Sequence, residues 1–191
     1  IKYKRKWVWF KLRVFIAIEF QEEVKNYLKE IQDLISRKSE KGNFTIKDNF
    51  HLTLKFIGEV DLELVEKIKK AIDETVENHN NFKLYFNKIG KFSRASKSII
   101  WMGLKREEEL YSLYDKIERE LEKINIRKEE RKYTPHITLG REIILKEDFN
   151  TLLKEVKIKK LPILVDKVSL MESTRVNGEL KYIPLYEKSL K

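Results

Sequence analysis

The chain contains no cysteine. Disulfide frameworks, zinc–thiolate sites and thiol nucleophiles are therefore excluded. Only three histidines are present, too few for a His-rich metal cage, so the expected site uses neither metal nor cofactor. Three prolines and the absence of any Pro/Gly/Ser-rich linker or low-complexity tract predict one compact domain. A chain of 191 residues suits a single domain, or two small lobes sharing a site. No apolar run approaches the roughly 18 residues that a membrane span requires. Trp7 to Leu12 is apolar but short, is interrupted by Lys11, and is followed by no small-residue cleavage site, so it does not read as a signal peptide. The expectation is a soluble, cytoplasmic, monomeric protein with no membrane partner.

What is present narrows the chemistry. Hydrophobic residues make up 41%, enough for a core, and 41 basic against 31 acidic side chains give a net charge of +10. A basic surface favours polyanions such as RNA. Abundant Lys and Glu without Cys is equally the composition of a heat-adapted protein, and composition does not separate the two readings. Residues 1–12, IKYKRKWVWFKL, form an extension that suits either an RNA-contacting arm or a short leader before the first strand. The remaining residues, 13–191, form the domain.

Within that domain, Arg13–Phe20 reads as a buried strand. Gln21 to about Lys38 carries apolar residues at helical spacing. Lys41–Gly42–Asn43 reads as a turn, and Asn49–Ile57 as a strand closed by Gly58. Asp61 is placed to cap a second helix. Phe82–Ile89 and Ser98–Leu104 read as strands around a basic loop, Gly90–Lys97. A third helix spans Leu110 to Ile124, and a charged loop, Ile126–Lys132, precedes a strand at Tyr133–Leu139. A short helix near Asp148–Leu153 leads to strands at Ile163–Met171 and Tyr182–Glu187, with Asn177–Gly178 as a hairpin turn. Strands and helices alternate without a regular βαβ rhythm, which predicts an α+β fold.

One near-repeat carries the chemistry: HLTL at 51–54 and HITL at 136–139. On a strand, alternate side chains share a face. His51 and Thr53 should therefore oppose Leu52, Leu54 and Phe56, and His136 and Thr138 should oppose Ile137 and Leu139. Two such strands related by an approximate two-fold would bring two imidazoles and two hydroxyls to one cleft. That set suits a phosphodiester. Imidazole, with a reference pKa of about 6.5, can serve as base or acid near neutrality. Threonine hydroxyls can hold the non-bridging oxygens.

These motifs resemble the 2H phosphoesterase superfamily, and within it the RNA 2′,3′-cyclic phosphodiesterases historically named 2′-5′ RNA ligases. The similar segments are RVFIAIEF (13–20), FHLTLKFIGEV (50–60), YTPHITLGR (133–141) with Pro135 and Arg141, and MES (171–173). The resemblance implies a bilobal fold with pseudo-two-fold symmetry, mostly antiparallel sheets around a central cleft and helices outside. It also implies that His51 is the proton donor and His136 the proton acceptor, the residues alone leaving the two interchangeable. The implied substrate is RNA ending in a 2′,3′-cyclic phosphate, tRNA halves among them, and the product a 2′-phosphate. A 2′-5′ ligase and a non-catalytic RNA-binding module are the alternatives.

The chain departs from the family where Thr174–Tyr182, TRVNGELKY, lacks the family's proline after Gly178. Arg175, Lys181 and Tyr182 remain substrate candidates there. Arg141 is placed either to contact phosphate or to form a strand-end salt bridge. Arg131 belongs to a basic run (Arg127, Lys128, Arg131, Lys132) diluted by Glu129 and Glu130, and faces either RNA or solvent. Phe92 is a candidate base-stacking residue, with Arg94 and Lys97 on phosphates. Trp101 is expected in the core, and His79 at an exposed helix end.

Overall fold

The structure, a computed structural model, describes residues 11–191, the side chain of Arg94 excepted. The expected extension over 1–12 falls almost wholly outside the described residues; at its end, Leu12 already opens the first strand. In chain order the elements are β1 (Leu12–Glu19), α1 (Glu22–Arg37), β2 (Ser39–Phe44), β3 (His51–Val60), α2 (Leu62–Val76), β4 (Phe82–Arg94), β5 (Lys97–Leu104), α3 (Glu108–Lys123), β6 (His136–Leu145), α4 (Phe149–Glu155), β7 (Pro162–Val165), β8 (Lys167–Val176) and β9 (Glu179–Ser189). Two antiparallel sheets result, ordered β3-β1-β8-β9 and β2-β6-β5-β4-β7. The halves interleave. Strand β2 comes from the first half but edges the second sheet, and the β8–β9 hairpin follows β7 yet returns to the first.

Apolar periodicity explains the layers. Ile16, Ile18 and Leu52 from the first sheet, Met102, Ile137 and Leu139 from the second, and the inner stripes of the helices meet in one core. Asp61 caps α2, its carboxylate accepting from the Leu64 amide at 2.8 Å, which satisfies a backbone donor that the helix start leaves open. The first sheet curls until its far edge meets the approach to β3. There the Asn49 side chain donates to the Leu180 carbonyl at 2.8 Å and accepts from the Tyr182 amide at 3.2 Å.

Several boundaries differ from the sequence reading. Lys41–Asn43 is not a turn: it lies inside β2, paired with β6, and Gly42 lets the edge strand approach where a Cβ would stand 2.8 Å from the Ile143 side chain. The Gly90–Lys97 loop is a hairpin arm, with only Ala95–Ser96 turning between β4 and β5. Gly90 sits under the Trp101 indole, where a Cβ would come within 2.2 Å. Strand β6 starts at His136 rather than Tyr133, after Pro135, which has no amide hydrogen for a ladder. The predicted strand 163–171 is two strands: β7 pairs with β4 and β8 with β1. Asn177–Gly178 turns as expected, both residues at positive φ.

One departure changes a face. Thr53 pairs with Ala17 and Lys55 with Ile16, so β3 holds an extra residue at Leu54. Such a bulge reverses the alternation beyond it. Leu54 and Lys55 are consecutive buried residues, 3% and 8% exposed, while Phe56, expected beside Leu52 and Leu54, is 54% exposed. Lys55 is buried against Glu118 of α3, Nζ to Oε1 2.8 Å, and also donates to the Arg127 carbonyl at 2.8 Å. Glu118 in turn accepts from the Glu129 amide at 3.0 Å. This pair ties the segment leading to β6 back onto β3. Removing one partner of a buried pair strands the other charge. Lys55→Ala should therefore cost about 3–5 kcal/mol, read as a lower urea midpoint at unchanged slope. A loss in the range of surface pairs, below about 1 kcal/mol, would contradict the burial.

Candidate active site

The two HxT strands deliver their polar faces to a single cleft of about 730 Å³, lined by His51, Thr53, His136 and Thr138. The opposite faces explain why: Leu52, Ile137 and Leu139 are buried in the core, so the intervening residues must point the other way.

The two imidazoles are held alike. His51 Nδ1–H donates to the Asn49 carbonyl at 2.7 Å, and His136 Nδ1–H donates to the Thr134 carbonyl at 2.7 Å. A carbonyl oxygen can only accept, so each neutral ring carries its proton on Nδ1 and keeps Nε2 as a base. His51 Nε2 lies 2.9 Å from Thr53 Oγ1. While His51 is neutral, the hydroxyl donates to it; once the ring is protonated, Nε2–H becomes the donor.

Aromatic rings repeat the symmetry. Tyr182 meets His51 edge-on at 5.0 Å and 88°, with Phe15 at 4.8 Å. Phe92 meets His136 edge-on at 5.3 Å and 89°, with Trp101 at 5.9 Å. Each of the two histidines thus packs against two rings from other strands of its own sheet, which restrict its rotamers. Trp101 is buried as expected, and is also a wall for His136.

Charge at the cleft is cationic. Arg13 of β1, Arg141 of β6 and Arg175 of β8 line it. Among the described residues neither Arg13 nor Arg141 has an acidic partner within salt-bridge distance, so Arg141 makes no strand-end salt bridge there. Burial is the main force on His51, pushing its pKa down to about 4; the Asn49 carbonyl opposes this, while Arg141 and His136 add to it. Burial also raises the Tyr182 phenol, with Arg141 and Arg13 pulling the other way.

Of the residues singled out from sequence, His51, Thr53, His136, Thr138, Arg141, Arg175 and Tyr182 reach the cleft. Phe92 stands behind His136 instead of lining it. Arg131 is not brought to the cleft: its side chain is 88% exposed and pairs with Glu129. Lys181 pairs with Glu179 and Lys97 with Glu142. The proposed phosphate contact of Arg94 lies outside the described residues. Sequence reading missed Arg13, Phe15 and Asn49. Asn49 is buried and orients His51 through its carbonyl while its side chain holds β9. Its only signal was a polar residue just ahead of the motif.

Comparisons with known proteins show the family and the fold. The sequence pattern of the 2′-5′ RNA ligase superfamily matches residues 20–177. A Thermotoga maritima protein named RNA 2′,3′-cyclic phosphodiesterase is 30% identical over 177 residues, 92% of this chain and 94% of the relative. A Methanocaldococcus jannaschii protein of the same name is 31% identical over 131 residues, 68% of this chain and 71% of the relative. In fold, the chain is similar to E. coli LigT complexed with 3′-AMP, with a TM-score of 0.77 at 22% identity, over 95% of this chain and 99% of that one.

The depressed His51 pKa has a definite pH signature. Its folded value, about 4, lies below the ordinary 6.5, so the unfolded chain binds this proton first. The stability contributed by the neutral ring is complete above pH 6.5 and is lost as pH falls towards 4. Histidine-selective NMR titration should find one ring titrating near 4 in the Nδ1–H form, moving upward when phosphate is added. A His51 ring titrating at 6.5 in the free protein would refute the assigned environment.

Proposed function

The chain belongs to the 2′-5′ RNA ligase superfamily, and we propose that it hydrolyses RNA 2′,3′-cyclic phosphate ends to 2′-phosphomonoesters with His51 and His136 as its acid–base pair. It is a phosphodiesterase of the hydrolase class. The observation that carries the reading is the pair of Nδ1-anchored imidazoles facing one cationic cleft, each with a threonine hydroxyl two residues further along its strand.

In this reading the cyclic phosphate lies between the rings, its non-bridging oxygens taken by Thr53, Thr138 and Arg141. His136 Nε2 accepts a proton from a water that attacks phosphorus. The bond from phosphorus to O3′ breaks, and O3′ takes a proton from His51 Nε2–H. The product keeps its phosphate on O2′ and gains a 3′-hydroxyl; the following turnover starts when the two rings exchange their proton with solvent. The donor and acceptor roles rest on the family resemblance. The low His51 pKa shapes them further: the free enzyme holds His51 neutral, and the negative phosphate supplies the countercharge that allows it to bind a proton. The substrate thus loads its own acid. No step needs a metal ion. A cytoplasmic monomer acting on tRNA halves belongs to the same reading, with Tyr182 bordering the nucleotide, Phe92 backing His136 and Arg131 holding RNA outside the cleft.

The test is end-group analysis of cyclic-ended RNA incubated with the protein in EDTA. The expected product is a 2′-phosphate end. His51→Ala and His136→Ala should each lower turnover about 10²–10⁴-fold, with a bell-shaped pH profile whose limbs belong to the pair. Unchanged ends with folded protein would leave a binding module. Joined RNA halves in place of phosphorylated ends would point to the ligase direction. Activity abolished by EDTA and restored by a divalent ion would overturn the two-imidazole mechanism.

A further inference from the structure

We infer that Tyr133 is a positioning residue for the proposed reaction, its phenol hydroxyl fixing the spacing between the two imidazoles. This rests on the function proposed above and adds what holds its acid–base pair at one separation.

The first observation is an absent ladder. His51 and His136 open strands of different sheets, β3 and β6, so no run of main-chain hydrogen bonds joins the two motifs. Strand β3 is also the outer strand of its sheet, and carbonyls along such an edge have no strand partner. Tyr133 takes one of them: its hydroxyl donates to the Thr53 carbonyl at 3.1 Å. Thr53 is the hydroxyl residue of the first motif, its Oγ1 lying 2.9 Å from His51 Nε2. The residue after Tyr133 is Thr134, whose carbonyl accepts from His136 Nδ1–H at 2.7 Å. Two hydrogen bonds and one peptide unit therefore connect the first motif to the second imidazole.

The second observation is that this connection is stiff. Pro135 fixes its own φ and confines Thr134 to extended backbone. At the other end, the Tyr133 ring lies on Tyr114 of α3, centroids 4.0 Å apart and planes within 6°, with Tyr111 edge-on at 6.0 Å. Packing places the ring, and the hydroxyl is left to reach β3. Burial, with Tyr114 and Tyr111 adding to it, pushes the phenol pKa up, so the group stays a donor to Thr53 at any pH where imidazole works. The bond from Lys55 to the Arg127 carbonyl also joins β3 to this segment, but it ends before the exposed residues 128–132. It holds the loop; Tyr133, immediately ahead of Thr134, holds the motif.

Spacing matters most in the chemical step. One imidazole must accept a proton while the other donates, across a single phosphorus atom. A displacement of about 1 Å in such groups costs on the order of 10²-fold in rate. Ground-state binding does not use both nitrogens at once and is less sensitive.

The experiment is a double-mutant cycle on hydrolysis of a nucleoside 2′,3′-cyclic phosphate, with urea unfolding of each variant. Tyr133→Phe keeps the ring and its stack and removes only the hydroxyl. It should lower kcat about 10- to 100-fold and leave KM unchanged. In a His51→Ala background no pair remains to be spaced, and the same change should lower the residual rate by less than about 3-fold, a difference that the cycle isolates. The urea midpoint should fall equally in both backgrounds. A hydroxyl that serves stability alone would cut kcat by the same factor in both backgrounds, and that result overturns the inference. So does Tyr133→Phe turnover equal to wild type, or a loss confined to KM; in each of these cases the proposed function stands. A wild type without turnover overturns the proposed reaction, and this role with it.

Discussion

The hydrogen bond from each imidazole Nδ1 to the carbonyl two residues upstream is the constraint on which the rest depends. Free histidine divides its proton between two nitrogens and its ring among several rotamers. Here both choices are made by the backbone, at 2.7 Å in each motif. Orientation and tautomer are settled together, and Nε2 is left for chemistry. Because a main-chain oxygen does the anchoring, no carboxylate is needed. The cleft keeps its positive character, and an anion entering it is the missing counterion.

That anchoring works only if the strands themselves are held. Two buried amides do this in matching ways. Asn49 closes the curled first sheet by bonding the backbone of β9, and its own carbonyl is the one that receives His51. Gln32, on α1, donates to the carbonyls of Thr45 and Leu139 at 2.7 and 2.8 Å, while the Thr45 hydroxyl bonds the Thr138 carbonyl at 2.9 Å. Each motif strand is thus tied, just beside its histidine, to a segment from elsewhere in the chain. Across the halves, Tyr133 donates to the Thr53 carbonyl at 3.1 Å and stacks on Tyr114 at 4.0 Å. Buried polar groups that are hydrogen-bonded are costly to rearrange, which suits the proposed reaction, in which two nitrogens must keep one separation.

Elements with strong local signals were legible without coordinates. The helices followed from apolar stripes, the α2 start from Asp61, and the last hairpin from Asn177–Gly178, because each depends on neighbours within one turn. Edge strand β2 and the long β4–β5 hairpin were not. Lys41–Gly42–Asn43 and the Gly90–Lys97 stretch look like loops when read alone, and their glycines serve close approach to Ile143 and Trp101, partners distant in sequence. Arg131 shows the opposite case: a cation near a motif in sequence whose side chain pairs with Glu129 away from the cleft.

The sequence by itself singled out the side chains proposed to do the chemistry: without cysteine and with few histidines, two matched His-x-Thr strands stood out as an arrangement suited to exchanging protons at a phosphate. Alternation further required each histidine to share a face with its threonine, since the aliphatics between them seek the core. Tertiary structure alone decided that the two faces meet, because strand pairing across distant segments places them. It alone set the charge on His51, since burial and the Arg141 field are properties of space rather than order. It alone turned Phe56 outward, because the bulge that reverses its face is a register shift against β1 and leaves no mark in the residues of β3.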